Sequence, residues 1–480
     1  MSSNSAKILK GRCCPVDQTA DCGRELIRTL SLVDNISESE KEKIRDQIVK
    51  DIYWLAEKIA NESVSKEQIK TDWGEKADDI LTSKYMGFPI MLVMLGGVFW
   101  LTIAGANIPS AFLAEGLFWF EGRLNELFMW ANAPQWLQGI LVSGVYRTMA
   151  WVVSVMLPPM AIFFPIFTLL EDAGYLPRVA FNLDNFFRRS GAHGKQALTM
   201  SMGFGCNAAG VIATRIIESP REKLIAIITN SFVPCNGRFP TLIVLASIFM
   251  GTVVSETYSS FVAAAIVVAL VLAGISITLL VSWILSKTVL KGVPSSFTLE
   301  LPPYRKPQLG RILVRSFIDR TLFVLGRAVM VAAPAGLIVW VFANIGIKGM
   351  SLLDYAANLL NPFAVLIGLD GVILLAFILG LPANEIVIPI MVMGYLSTGA
   401  MLEPDSVSVL RDILVNNGWT WLTALATMSF SLLHFPCGTT LLTIRKETGS
   451  MKWAVFTFFS TTAVAIIVNF IVVQLIHLFL

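Results

Sequence analysis

Beyond residue 85 the chain alternates long apolar runs with short charged stretches. The runs cover about 88–106, 138–170, 224–250, 260–286, 322–345, 363–380, 420–443 and 453–480, and about 20 largely apolar residues suffice to cross the hydrocarbon core of a bilayer. Shorter apolar pieces lie between them at 197–214 and 385–398. Residues 37–62 follow another rhythm: a Ser-x-x-Glu opening leads into Ile44, Ile48, Ile52, Leu55 and Ile59 at helical spacing, which predicts an amphipathic helix outside the membrane. The pattern predicts an all-α polytopic membrane protein with about 8–11 membrane segments.

Composition agrees, with 55% hydrophobic and 15% charged residues against roughly 45–50% apolar usage in soluble domains. No apolar run begins near residue 1, so no cleavable signal peptide is expected and the first 85 residues should stay on the side of synthesis. A net charge of +3 gives no reason to expect a nucleic-acid partner; the basic residues bear on topology instead. Arg178, Arg188, Arg189 and Lys195 fall in 174–195, seven Lys/Arg fall in 286–320, and Arg445, Lys446 and Lys452 fall in 445–452. The positive-inside bias assigns these loops and the N-terminus to the cytoplasm, and assigns 107–135 and 399–418 to the outside.

That assignment creates a constraint. Both 174–195 and the charged stretch 215–223 must be cytoplasmic, so 197–214 cannot cross and should re-enter; on the outer side, 346–362 and 399–418 bracket the broken segment 363–398 in the same way. Interrupted segments in matching positions of two halves are the sequence signature of an inverted-repeat transporter with its site near the midplane. The expected organisation is a cytosolic Cys-containing segment (1–36), an amphipathic helix and linker (37–85), a first membrane repeat (86–290), a cytoplasmic linker (291–320) and a second repeat (321–480).

Each half also places a thiol directly after a proline: "FVPCNGRFP" at 232–240 and "LLHFPCGTT" at 432–440. Pro234 removes an amide donor and should free a carbonyl near Asn230, with Asn236 continuing the break, and Pro436 acts likewise. The first hairpin tip, "GFGCNAAG" at 203–210, carries Gly203, Gly205 and Asn207 around Cys206; the second, "GLPANEIVIP" at 380–389, carries Asn384 and Glu385. Irregular backbone survives at membrane depth only where it is protein-buried or lines a cavity. The breaks should therefore gather Cys206, Cys235, Cys437, Glu385, Asn207 and Asn384 along one polar route. Thiolates beside a carboxylate suit a soft or borderline divalent metal, whereas Mg²⁺ and Ca²⁺ want all-oxygen shells. His434 reads as a polar core residue or a gating element. Cys13, Cys14 and Cys22 offer a cytosolic metal-capture site whose spacing matches no zinc pattern. Single thiols in apolar surroundings argue against a disulfide framework. No G-x-x-x-x-G-K-[ST] phosphate loop occurs, so no nucleotide is expected to bind this chain.

Three stretches, "LLEDAGYLPRVAFNLDNFFRRSGAHGKQALTMSMGFGCN" (169–207), "LELPPYRKPQLGRIL" (299–313) and "PCGTTLLTIRKETGSMKWAVF" (436–456), resemble the membrane half of Feo-type ferrous iron transporter B, with the likeness covering about 80–480. The resemblance implies Fe²⁺ as the transported substrate, an iron path lined by Cys206, Cys235 and Cys437, and the cytoplasmic membrane of a prokaryote. Family members usually carry an N-terminal GTPase domain, so it further implies a separate GTPase subunit and a small FeoA-like protein as partners. Asn384-Glu385 stands where the family has Lys-Glu, and Asn207-Ala208-Ala209 where it commonly has Asn-Val-Pro. Two other readings stay open: a nucleoside or other small-solute permease on the same fold, and a non-transporting scaffold. Lipid contact is implied throughout, and a homo-oligomer is compatible with the sequence. An enzyme is not expected.

Overall fold

The computed structural model describes residues 38–63, 73–83, 85–250, 259–291, 304, 308–347, 350–399 and 407–479. Cys13, Cys14 and Cys22 lie outside the described residues. The chain divides into two compact units, Met1–Thr71 and Asp72–Leu480. In the first, the predicted amphipathic helix forms as α1 (Glu38–Ser63).

The second unit is helical, apart from a two-residue antiparallel pairing of β1 (Gly346–Ile347) with β2 (Met350–Ser351). It opens with α2 (Trp73–Leu81) and the 44-residue α3 (Gly87–Trp130), which packs along α4 (Gln135–Asp172). Arg147 of α4 pairs with the buried Glu121 of α3 at 3.7 Å, the carboxylate partner that an arginine inside an apolar run requires. Then follow α5 (Tyr175–Arg189), α6 (Gln196–Gly205), α7 (Asn207–Ala213), α8 (Pro220–Thr229), α9 (Phe239–Leu245) and α10 (Ser259–Lys287). The second half contains α11 (Leu309–Arg315), α12 (Phe323–Asn344), α13 (Leu352–Leu366), α14 (Gly371–Leu379), α15 (Val387–Leu396), α16 (Val407–Asn416), α17 (Trp421–Leu433), α18 (Gly438–Thr448) and α19 (Met451–Phe479).

One series of elements occurs twice. A long span (α4, α12) leads to a helix with an apolar stripe (α5, α13), a packed pair of short helices (α6/α7, α14/α15), a span broken in the middle (α8/α9, α17/α18) and a continuous closing span (α10, α19). Among the described residues five helices are long and apolar enough to cross a membrane, or six if the pair α13 and α14, bent by 109°, counts as one span. Not every apolar run of the sequence is one uninterrupted helix. The runs at 224–250 and 363–380 are cut by breaks, and the run at 88–106 is the first part of the longer α3. The chain is a multi-pass, all-α membrane protein.

Local chemistry places the breaks. Ser219 caps α8 with its hydroxyl facing the Glu222 amide at 3.5 Å, and Pro220 occupies the first turn, where its missing donor costs nothing. Asp370 accepts from the Ile373 amide at 2.7 Å to start α14, and Thr420 from the Thr423 amide at 3.3 Å to start α17. Glycine is required where α6 and α7 close on Asn230 of the broken span: a β-carbon at Gly203 would meet Asn230 Oδ1 at 2.8 Å, and one at Gly210 would meet Nδ2 at 2.5 Å.

Outside the membrane spans, Arg178 of α5 donates from Nε and Nη2 to Asp78 of α2 at 2.9 and 3.1 Å, and its guanidinium lies over the Tyr304 ring, whose hydroxyl also donates to Asp78. The bonds from Arg178 hold the Asp78 carboxyl below the usual carboxylate range, against the opposing effect of burial. A carboxyl depressed in the folded state contributes stability above its unfolded pKa of about 3.9, and that contribution fades as pH falls through the lower folded value. Asp78→Asn should lower stability in detergent by on the order of 1–3 kcal/mol at pH 7, with the difference from the parent chain shrinking below about pH 4; denaturant melts at both pH values measure it.

Candidate functional site

The two breaks and the two hairpin tips converge. In the first half, the α6/α7 turn is the extended residue Cys206 (φ −157°, ψ 126°). With its nitrogen turned toward them, the Asn207 side-chain amide donates to the carbonyls of Gly203 (3.2 Å) and Val233 (3.1 Å), while Asn230 Nδ2 donates to the Asn207 carbonyl at 3.1 Å. The hairpin tip is thereby tied to the broken span behind it.

The two halves repeat one bond. The residue after each Pro-Cys donates its amide to its own hairpin tip: Asn236 to the Gly205 carbonyl at 3.3 Å, and Gly438 to the Leu381 carbonyl at 2.7 Å. Proline before the cysteine keeps the chain from continuing as helix, and the freed backbone is used to bind the tip. Each thiol is consequently held at the junction of a break and a tip. Cys206 and Cys437 are also the residues from which α7 and α18 begin.

These junctions line a partly open cavity of about 30 Å³, with Cys206, Asn207, Cys235, Asn384, Glu385 and Cys437 in its wall and Gly205, Gly237 and Thr439 among the rest. Since a water needs roughly 10–15 Å³ of such volume, the space suits one or two water-sized guests. Cys206 and Cys235 are buried, Cys437 is half-buried, and none is in a disulfide. The Cys437 sulfur lies 3.3 Å from Thr440 Oγ1. The Glu385 carboxylate lies against Gly237 of the opposite half, where any β-carbon would collide with it, and its backbone carbonyl accepts from Trp151 Nε1 of α4 at 3.3 Å. Asn384 Oδ1 is buried without a hydrogen-bond partner. Among the described residues no three His, Cys, Asp or Glu side chains are grouped closely enough to hold a metal ion together.

Of the residues singled out from sequence, the cavity thus brings together the three membrane thiols, Glu385, Asn207, Asn384 and Gly205. Gly203, Pro234, Asn236, Pro436 and His434 stand behind it. His434 is 1% exposed. Its Nδ1 lies 3.0 and 2.9 Å from the Phe430 and Ser431 carbonyls, and its ring sits among Phe377, Phe430 and Phe435.

Pro234 does not leave the Asn230 carbonyl free. The Val233 amide takes that oxygen at 3.3 Å, and the carbonyl passed on is that of Ser231, which Arg238 binds at 2.8 Å. Arg238, fully buried, is the residue that sequence reasoning missed. The available signal was a lone arginine three residues after Pro-Cys inside an apolar run.

Beyond the cavity, α7 and α18 pack together. Val211, Ile227, Ile444 and Ala454 form a separate apolar cluster there. At the far end Arg215 binds Glu447 through two bonds, Nε to Oε2 at 2.8 Å and Nη2 to Oε1 at 2.6 Å.

Two family models match the chain: "Gate: Nucleoside recognition" over 153–249 and 325–451, and "Ferrous iron transport protein B C terminus" over 267–319. Curated relatives include the Fe(2+) transport protein A/Fe(2+) transporter FeoB fusion protein of Porphyromonas gingivalis, 26% identical over 86% of this chain and 52% of its own length. Others are the Fe(2+) transporter FeoB of Staphylococcus aureus strain MSSA476, 29% identical over 85% and 60%, and that of Methanocaldococcus jannaschii, 28% identical over 85% and 60%. The chain spans about half to three fifths of the length of these relatives. No solved structure matches it. The three matched segments lie in the membrane unit and the relatives align over most of its length, so that the chain is similar to the membrane part of the FeoB family.

Proposed function

We propose that the protein carries Fe²⁺ across the cytoplasmic membrane of a prokaryote through the cavity between its two broken spans, with Cys206, Cys235, Cys437 and Glu385 as successive ligands and Asn207 and Asn384 as auxiliary oxygens. The single observation that carries this reading is the shared lining: three thiols, a carboxylate and an orphaned amide oxygen, drawn from both halves, face one small space. Borderline Fe²⁺ accepts sulfur together with oxygen ligands. The absence of a closed cage suits passage, because an ion that must leave is served by partial, successive ligand sets.

Depth supports the same reading. Glu447 lies ten positions along α18 from Cys437, about 15 Å of helix, or half of a hydrocarbon core about 30 Å thick. A site at mid-depth between two repeats of opposite orientation is the arrangement of secondary transporters. We assign the end carrying Arg445, Lys446 and Lys452 to the cytoplasm, so that α7 and α18 lead inward and the apolar cluster with the Arg215–Glu447 pair closes the inner mouth.

Cavity size speaks against the nucleoside permease, because sites for drug-sized organic ligands run to roughly 300–1,000 Å³. No phosphate-cradling loop occurs in these 480 residues, so a GTPase that drives or gates transport would act on the cytoplasmic face from outside them. The name of the P. gingivalis relative joins an A-type protein to the transporter, which favours a small FeoA-like partner as well.

The test is uptake into proteoliposomes of labelled Fe²⁺ against labelled uridine. Fe²⁺ uptake without uridine uptake is expected, and the reverse result would replace the reading with the permease. In the same assay Glu385→Gln should slow Fe²⁺ entry about fivefold to tenfold, since it removes the cavity's carboxylate charge while keeping its shape. Unchanged entry would remove Glu385 from the path.

A further inference from the structure

Arg238 carries a full charge at a depth where an arginine costs at least about 2.5 kcal/mol, and none of its side chain is exposed. No carboxylate pairs with it among the described residues. Instead Nη1 donates to the carbonyls of Ser231 (2.8 Å) and Leu432 (2.9 Å), and Nη2 to those of His434 (2.9 Å) and Phe435 (3.1 Å).

Those four oxygens belong to both broken spans. Ser231 lies in the 3₁₀ turn Asn230–Phe232 that ends the first half's α8, and Leu432 lies in the last turn of α17, with His434 and Phe435 in the break beyond it. The Leu432 carbonyl is the one that Pro436, four residues on, cannot serve. Helix C-termini present unsatisfied carbonyls and partial negative charge, so one guanidinium neutralises two helix ends at once. Its planar fork presents donors to two sides from a fixed frame, which a lysine ammonium at the end of a flexible stem does not.

We propose that Arg238 is a positioning residue that holds the two breaks in register, so that Cys235, three residues before it, and Cys437, two residues beyond the last carbonyl it binds, face the same cavity. The role rests on the reading that these thiols ligate the transported ion. It explains why a cation is built beside a cation path: its charge is spent on the two helix ends, leaving the thiols and Glu385 to the guest.

The test uses Cd²⁺ as a soft divalent probe, titrated through its ultraviolet thiolate-to-metal charge-transfer absorption. The full chain is purified in detergent with Cys13, Cys14 and Cys22 replaced by serine. Arg238→Lys keeps the charge but loses the fork, and should bind Cd²⁺ about tenfold or more weakly in its folded, monodisperse fraction. Pro436→Ala returns an amide able to compete for the Leu432 carbonyl, and should weaken Cd²⁺ binding by roughly threefold; it carries the test should Arg238→Lys fail to fold. Affinity unchanged in the folded variant or variants, even with a lowered melting temperature, would overturn the positioning role alone. Absence of any charge-transfer signal in the parent chain would overturn the thiol site and the positioning role with it.

Discussion

Replacing Cys206, Cys235 and Cys437 together by serine should lower Fe²⁺ flux through the reconstituted protein about hundredfold or more, while the protein remains folded and inserted. Serine is nearly the size of cysteine, and each position lies at a junction held by backbone bonds, Asn236 to Gly205 and Gly438 to Leu381, that need no sulfur. Packing should therefore survive. The chemistry should not, because a serine hydroxyl stays protonated where a thiol can ligate as thiolate. Loss of about 1.4 kcal/mol of ion stabilisation corresponds to a factor of ten, so two weakened ligand steps suffice for the predicted loss. Single replacements should cost less and fail to add, since the thiols share one cavity. Metal analysis of the purified triple variant beside the flux assay separates this outcome from misfolding. Flux within about twofold of the parent would leave the protein's cysteines as packing residues and favour the scaffold reading.

Why so much of this site was legible follows from what lipid forbids. Pro234 and Pro436 cannot be accommodated in a lipid-facing helix without partners for the carbonyls they free, so each announces a buried break. Glu385 announces a cavity for the same reason, and the cavity is lined by these neighbourhoods. The illegible part was the partner of those carbonyls. Sequence places the freed oxygen four residues before each proline, yet the Asn230 oxygen is recaptured locally by Val233, and the Leu432 oxygen is taken by Arg238 from a segment almost two hundred residues away. Such pairing depends on how the halves dock, which no local spacing encodes. His434, for which the sequence leaves open a polar core residue or a gating element, has two helix-end carbonyls within reach of its Nδ1, and its ring turns into Phe377, Phe430 and Phe435. Hydropathy alone does not separate a broken apolar run from an unbroken one, since both are equally oily; the prolines and the loop charges mark the breaks.

Reversing one charge at the inner mouth should open it. The Arg215–Glu447 pair joins the 3₁₀ turn that follows α7 to the far end of α18, helices that begin at Cys206 and Cys437, and Val211 and Ile444 of the apolar cluster belong to the same two helices. Glu447 is nearly buried while Arg215 is 61% exposed, so the pair is worth only about 1 kcal/mol as a contact. A gate needs no more than that. Glu447→Arg loses the pair and sets a second guanidinium against Arg215, which shifts the balance by about 2 kcal/mol and raises a scarcely populated open state roughly thirtyfold. Fe²⁺ entry into proteoliposomes should then rise about tenfold or more and lose its dependence on any added GTPase. The exchanged double variant, Arg215→Glu with Glu447→Arg, should restore the attraction and return the rate to that of the parent. A swapped pair that stays fast would show that the charge at this position of α18 acts on the ion itself. A Glu447→Arg rate no higher than that of the parent would show that the apolar cluster holds the mouth closed without the pair.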